Sequence, residues 1–230
     1  MLAPEGRTIL FTLLITTLAA GMIGFYYDSE RLLVCYAVFG LLFLFSCNFF
    51  RDPVRSIPMD ESSIVAPADG KIIRIDQVND SEIGEGANRI SIFLSIFNVH
   101  VNRVPITCTV KDVKHIPGRF LAAYDHKASD ENEKTDILFS GANITYRVHQ
   151  IAGIIARRIR CYAEKNLKMV KGDRLGFIMF GSRTDIIFPK SVQIEVDLGD
   201  KVKGGETIIG KMILKKYGKN LNSLSRAFLQ

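Results

Sequence analysis

The sequence predicts a mainly β, α+β chain: a compact β-sandwich or barrel-sandwich-like domain preceded by an N-terminal hydrophobic helical hairpin. Three observations predict it. Two long uncharged runs stand at the N-terminus, short apolar β-type runs separated by turn residues fill the rest, and two similar Gly-Asp phrases occupy the last third. A length of 230 residues suits one ordinary domain plus an appendage.

The hairpin comes first. Thr8 to Tyr27 is a run of 20 residues without a charge, and Leu32 to Phe50 is a second run of 19. As a helix, each matches a hydrocarbon layer of about 30 Å. Only Asp28-Ser29-Glu30-Arg31 separates them, so the turn is tight. A cleaved signal peptide would carry one apolar core and a small-residue cleavage site. A buried helical pair would need a covering that the flanking sequence scarcely offers. The hairpin either crosses the membrane or lies in its interface; Phe25, Tyr26, Tyr27, Phe49 and Phe50 sit at the ends of the runs, where interface anchors sit, which favours crossing. Arg7 precedes the first run, and Arg51 and Arg55 follow the second, while the turn holds one Arg against two acids. This bias places both termini on the cytoplasmic side of a cell (inner) membrane. The expected division is a membrane-anchoring hairpin over 1–50, a linker over 51–63 and one domain over 64–230.

Charge narrows the partners. The chain carries +6 overall, but the first 50 residues hold two basic and three acidic side chains, so the remainder carries +7. A basic domain tethered beside a bilayer suits anionic lipid headgroups. Nucleic acid is disfavoured, because the basic residues are scattered and an anchor prevents free search. Cys35, Cys47, Cys108 and Cys161 form no Cys-x-x-Cys and no Cys/His group with zinc spacing, so no metal is expected. Reduced, buried thiols are the expected state.

The linker begins at Arg51-Asp52-Pro53, where prolines and charges stop the helix. Ile64 to Ile75 reads as strand, Asp69-Gly70 turn, strand. Arg89 to Val104 is a long β-type run, and Val110 to Ile116 and Asn143 to Ile151 are further strands. Lys127 to Lys134 is charged and turn-like, and Ile151 to Ile159 fits a short helix or a strand. In the last third, Gly172-Asp173 and Gly199-Asp200 each precede a strand, a spacing that suits small lipoyl-type sandwiches. No Lys stands at a hairpin tip between Met or acidic neighbours, so a carrier lysine is unsupported. Apolar Phe177 to Phe180 reads as a strand ending in Gly181-Ser182, where a backbone can bend sharply and a hydroxyl can be held against the preceding carbonyl.

Three segments together resemble the phosphatidylserine decarboxylase family in its short, bacterial and archaeal form. They are Phe50-Arg51-Asp52-Pro53 with Val65-Ala66-Pro67-Ala68-Asp69-Gly70-Lys71, then Phe97-Asn98-Val99-His100-Val101-Asn102-Arg103-Val104-Pro105, then Phe177-Ile178-Met179-Phe180-Gly181-Ser182-Arg183. Pro117-Gly118-Arg119-Phe120, Lys127 to Glu133 and Gln150-Ile151-Ala152-Gly153 resemble it too, so the likeness runs in order from about Phe49 to Pro189.

The resemblance implies a proenzyme of phospholipid biosynthesis. Ser182 would attack the Gly181 carbonyl, and cleavage would give a β chain, 1–181, and an α chain, 182–230. Ser182 would become a pyruvoyl group, a covalent cofactor in place of pyridoxal phosphate and without metal. Its ketone would form a Schiff base with the substrate amine and take up the electrons freed as carbon dioxide leaves. The product would be phosphatidylethanolamine, and the partners an anionic phospholipid, the membrane and the chain's own second half, with further oligomerisation open. Asp69 and His100 fall on the positions of the family's acidic and basic partners in self-cleavage, and His100 would also serve as proton donor to the decarboxylated carbon. Longer members carry a second histidine two residues before the proline, where this chain has Arg103. One histidine then serves both steps or another group substitutes. Arg103 is a candidate for the substrate phosphate. His115, His126 and His149 lie outside these motifs. A non-enzymatic membrane adaptor, a decarboxylase of another serine-headed lipid such as archaetidylserine, and a soluble pyruvoyl enzyme are the alternatives.

Overall fold

The computed structural model describes residues 1–121, 124, 128–153, 158–179 and 181–213. The two uncharged runs form α1 (Arg7–Tyr26) and α2 (Glu30–Phe49), after a 3-10 turn over Pro4–Gly6. Leu10, Thr17, Gly21 and Gly24 are the buried residues of α1 and recur at helical spacing, so they form one seam. Gly21 is needed there, because a Cβ would meet the Tyr36 ring at 2.8 Å. The helices are long and apolar enough to cross a membrane, and only 22% and 11% of their apolar windows are buried. A core helix of a soluble domain would be mostly covered.

After Phe50 the chain crosses the domain without regular structure, and Ile57 lies where a Cβ on Gly172 would come within 2.5 Å. The strands follow: β1 (Ser63–Val65), β2 (Gly70–Asp80), β3 (Gly84–Leu94), β4 (Val101–Arg103) and β5 (Cys108–Ile116). A single helical turn, α3 (Ala128–Glu131), leads to β6 (Lys134–Gly141), β7 (Thr145–Ile151), β8 (Ile159–Cys161), β9 (Lys168–Met169) and β10 (Arg174–Ile178). The last are β11 (Ser182–Phe188), β12 (Val192–Ile194), β13 (Lys201–Val202) and β14 (Ile208–Met212). An eight-stranded sheet has the order β13-β2-β3-β11-β7-β6-β5-β9, and two three-stranded sheets have the orders β4-β10-β8 and β1-β14-β12. The mainly β class with a helical hairpin is thus as the sequence reads.

Three readings change in detail. The expected long run from Arg89 breaks after Leu94, because the Asn98 carboxamide oxygen accepts from both the Ser95 N–H, at 2.9 Å, and the Ser95 hydroxyl, at 2.7 Å, and turns the chain. Strand β6 begins where the charged stretch ends at Lys134, and Ile137 and Phe139 are fully buried. Of the four thiols only Cys108 is buried, and Cys35 is exposed on α2, because the apolar run that holds it is outward-facing. Of the Ile151 to Ile159 stretch, 154–157 lie outside the described residues.

The two Gly-Asp phrases make the same turn. Asp173 accepts the Val170 N–H at 2.7 Å, and Asp200 accepts the Asp197 N–H at 2.9 Å. The main core gathers Ile64, Ile72, Ile90, Ile92, Phe139, Val148, Leu175 and Ile186. A second cluster joins Ala3, Phe49 and Phe50 at the base of the hairpin to Val99, Val101, Phe177 and Met179 of the domain.

Candidate active site

Three segments meet at one end of the large sheet. Ser182 pairs with Leu94, one step from the Lys71–Phe93 pair, so Asp69 lies just beyond the same edge. The Ile178 N–H donates to the His100 carbonyl at 3.3 Å, and the Arg103 N–H to the Pro67 carbonyl at 2.8 Å. The sequence motifs around 69, 100 and 182 are thereby brought together by backbone pairing.

Strand β10 ends at Ile178 and β11 opens with Ser182 itself, so the Gly-Ser pair is the junction of two strands; Phe180 lies outside the described residues. Gly181 has φ +62°, the left-handed region, and a Cβ there would meet nothing within 4 Å. Its need for glycine is conformational. Ser182 is fully buried and pairs with Leu94 of β3 at the start of a strand held between β3 and β7, and among the described residues its hydroxyl has no hydrogen-bond partner. Buried polar groups are rarely left so, which makes this hydroxyl a group held for a reaction or a ligand.

His100 is also fully buried. Its Nδ1 lies 2.9 Å from the Asn98 carbonyl oxygen, which can only accept, so Nδ1 carries the proton and Nε2 the lone pair. Among the described residues that Nε2 has no partner. The ring lies against Phe49, the last residue of α2, at 4.2 Å between centroids. Burial pushes the imidazole pKa down to about 4; the Asn98 carbonyl opposes this and Arg51 adds to it. At neutral pH the imidazole is uncharged with a free lone pair, the state a general base requires.

Asp69 is engaged by other groups. Arg55 Nη2 donates to its two oxygens at 2.8 and 2.9 Å, and the Gly204 N–H donates at 2.8 Å. Among the described residues no hydrogen bond joins Asp69 to His100; a backbone carbonyl orients the imidazole instead. Asp69 ties the linker, through Arg55, to the edge of the site. Arg103 also reaches the linker: it donates to Asp52 at 2.5 Å, to the Pro53 carbonyl at 3.2 Å and to the Gly172 carbonyl at 3.0 Å.

Sequence reasoning left three residues without a role. Gln150, Asn102 and Thr184 are fully buried, and they link β7, β4 and β11. The signal was available in β7, where Tyr146, Val148 and Gln150 alternate inward and a carboxamide stands in an apolar position. Glu5 was missed because its partners, Arg174 and Tyr162, come from far along the chain.

Comparison with known proteins gives one family. The family described as phosphatidylserine decarboxylase matches residues 42–210. The chain is 46% identical over 202 residues to a phosphatidylserine decarboxylase proenzyme of Pelobacter propionicus, covering 86% of this chain and 89% of that one. It is 47% identical over 173 residues to one of Geobacter metallireducens, covering 75% and 79%. It is 38% identical over 213 residues to one of Chlorobium limicola, covering 92% and 100%.

Proposed function

The chain belongs to the phosphatidylserine decarboxylase family, and we propose that it is a proenzyme that cuts itself between Gly181 and Ser182 and then removes carbon dioxide from the serine headgroup of phosphatidylserine. The product is phosphatidylethanolamine. One observation carries the reading: a buried, unpartnered Ser182 hydroxyl follows a left-handed Gly181, at an edge that also holds a neutral imidazole with an unpartnered Nε2.

In the cleavage step, His100 Nε2 takes the hydroxyl proton as Ser182 Oγ attacks the Gly181 carbonyl carbon. The C–N bond breaks, the proton passes to the Ser182 nitrogen, and an ester replaces the peptide. Loss of the Ser182 α proton then expels the Gly181 carboxylate, which ends the β chain at 181. Water hydrolyses the remaining enamine through its imine tautomer, ammonia leaves, and a ketone stands at the start of the α chain. The residues present fit such a group, because position 182 is enclosed and its side chain carries no competing hydrogen bond among the described residues. When formed, the ketone supplies an electron sink for the pair left by decarboxylation. No metal enters this scheme. His100, buried and proton-bearing on Nδ1, is the group placed to move a proton between itself and the substrate. Asp69, with Arg55, holds the linker against the site.

The hairpin over 1–50 anchors the domain in a membrane, with 51–63 crossing the domain and 64–230 forming the catalytic part on the cytoplasmic side. Phe49 at the end of α2 touches the His100 ring, so the site lies at the depth of the bilayer surface, where a serine headgroup lies.

The test is the intact mass of the denatured full chain. Two chains divided after Gly181 are expected, the smaller lighter by one ammonia than a serine-started peptide. Ser182→Ala should remain one chain. A single uncut wild-type chain from a folded, membrane-extracted sample would overturn the reading in favour of an adaptor.

A further inference from the structure

The Gln150 side chain is fixed from three directions. It stands opposite Thr184 in the β7–β11 ladder, and Thr184 is two residues after Ser182, on the same face. Gln150 Nε2 donates to Asn102 Oδ1 at 2.7 Å, and Asn102 Nδ2 donates to Thr184 Oγ1 at 3.3 Å. Asn102 is two residues after His100. From β10, a Cβ on Gly176 would come within 2.6 Å of Gln150 Nε2, so the glycine leaves room for the carboxamide.

Every side-chain nitrogen and oxygen of Gln150, Asn102 and Thr184 has a partner among the described residues except one. Gln150 Oε1 is buried and has no partner among the described residues. Leaving a buried acceptor unpaired is unfavourable, and native interiors rarely do so. Among the described residues the other such side-chain atoms are Arg55 Nε, Arg174 Nε, His100 Nε2 and Ser182 Oγ. Three of the five thus belong to the cleavage junction itself, to the residue just before β4 and to β7, the neighbour of β11.

We infer that Gln150 is a substrate-positioning residue whose Oε1 accepts a hydrogen bond from the protonated amine of the serine headgroup. The inference rests on the reading that this amine is brought to position 182. Elimination selects the amine. The phosphate and the carboxylate of a serine phospholipid offer acceptors only, and a carbonyl oxygen repels them. The ammonium group offers donors only. A neutral carboxamide holds the ammonium without taking its proton, and with its N–H given to Asn102 it presents Oε1 as the free acceptor.

The test uses the full chain in detergent, as wild type, Gln150→Met and Gln150→Glu. Intact mass first shows whether each is cut. KM and kcat for phosphatidylserine in mixed micelles are then measured, with inhibition by phosphatidylethanolamine, which has the amine, and by phosphatidylglycerol, which lacks it. Gln150→Met fills the same volume without an acceptor for the amine. It should raise KM and weaken inhibition by phosphatidylethanolamine about tenfold, the factor expected for one hydrogen bond to a charged donor, and leave phosphatidylglycerol unchanged. Gln150→Glu keeps an acceptor, and Asn102 can rotate its carboxamide to donate to it. Inhibition by phosphatidylethanolamine should then be as strong or stronger. If Met weakens both lipids equally, or neither, the inference fails. If the Met variant does not fold, the Glu variant decides: weakened phosphatidylethanolamine with unchanged phosphatidylglycerol overturns it. If wild type is itself uncut, the underlying reading fails and this inference falls with it. A cut wild type with an indifferent Gln150 removes only the inference.

Discussion

At the scale of the residue, His100 and Gly181 carry the sharpest consequences. An exposed imidazole loses its lone pair to a proton near pH 6.5, whereas burial pushes that of His100 down to about 4. Self-cleavage, followed as the appearance of two chains on a denaturing gel, should therefore hold its rate from pH 8 to about pH 5 and fall toward pH 4. A fall centred near 6.5 would show that His100 is not the base or is not buried during the reaction. The same shift acts on stability. The unfolded chain binds this proton more readily than the folded one, so the contribution is unaffected above about pH 6.5 and is lost as pH falls from there through the folded value. The loss is on the order of 3 kcal/mol when complete, and it should disappear from the pH dependence of thermal unfolding in His100→Gln. At Gly181 the φ of +62° with open space around a Cβ sets a conformational demand alone. Gly181→Ala should fold, lose about 1 kcal/mol, and cut itself roughly tenfold more slowly as the carbonyl turns from the hydroxyl. An unchanged half-time would show that the left-handed backbone does not position the scissile carbonyl.

At the scale of the element, the N-terminal peptide joins the hairpin to the site. Leu2 bridges to Arg51, the Ala3 N–H donates to the Phe50 carbonyl at 2.7 Å, and the Asp52 N–H donates to the Met1 carbonyl at 2.8 Å. Glu5 accepts Arg174 Nη2 at 3.0 Å and the Tyr162 hydroxyl, whose pKa is pushed up to about 12 by burial and then by Glu5 itself. Arg174 begins β10, the strand that runs toward Ser182, and its Nε lies 3.4 Å from Asp52, the carboxylate that Arg103 also holds. Removing Glu5 leaves a partly buried cation with fewer partners, at a cost of about 2 kcal/mol. Glu5→Ala should therefore lower the unfolding midpoint and slow self-cleavage, while Leu41→Ala on the outward face of α2, 72% exposed, should change neither. Equal effects of both would mean that the hairpin acts only as an anchor. This network also marks what the sequence could yield. Uncharged length announced α1 and α2, and the Gly-Asp phrases announced two turns, because each signal is local. Strand β6 was hidden because Thr135-Asp136-Ile137-Leu138-Phe139 follows a charged stretch and packs Leu138 beside both inward residues, which blurs the alternation. The motif residues Asp69 and His100 were legible as types. Their partners, Gly204 and the Asn98 carbonyl for example, depend on pairing between distant strands and on backbone direction, and composition encodes neither.

At the scale of the whole molecule, the proposed cleavage point would divide the chain but not the fold. Strand β11 would belong to the α chain, yet it lies between β3 and β7 of the β chain and is buried along its whole length. Its outward side holds the buried Arg183–Asp185 pair at 2.7 Å, with Ser91 donated to by Arg183 and Ser129 donating to Asp185, so β-chain hydroxyls seal both ends of that pair. Farther along, β14 pairs with β1 and β13 with β2, again across the two chains. The proposed cut falls where the α chain would begin as a central strand, so breaking that one peptide bond would remove no ladder and expose no apolar face. The junction can rearrange chemically while the sheet keeps position 182 fixed beside Leu94 of β3. The expected outcome is that fully cut protein elutes from a sizing column in detergent at the same volume as uncut Ser182→Ala, with both chains in one peak. Its thermal midpoint should lie within a few degrees of the uncut form, and the chains should part only on denaturation. A peak of free α chain under native conditions would mean that the ladders around β11 do not hold after cleavage, and that the site must be completed by something other than this sheet.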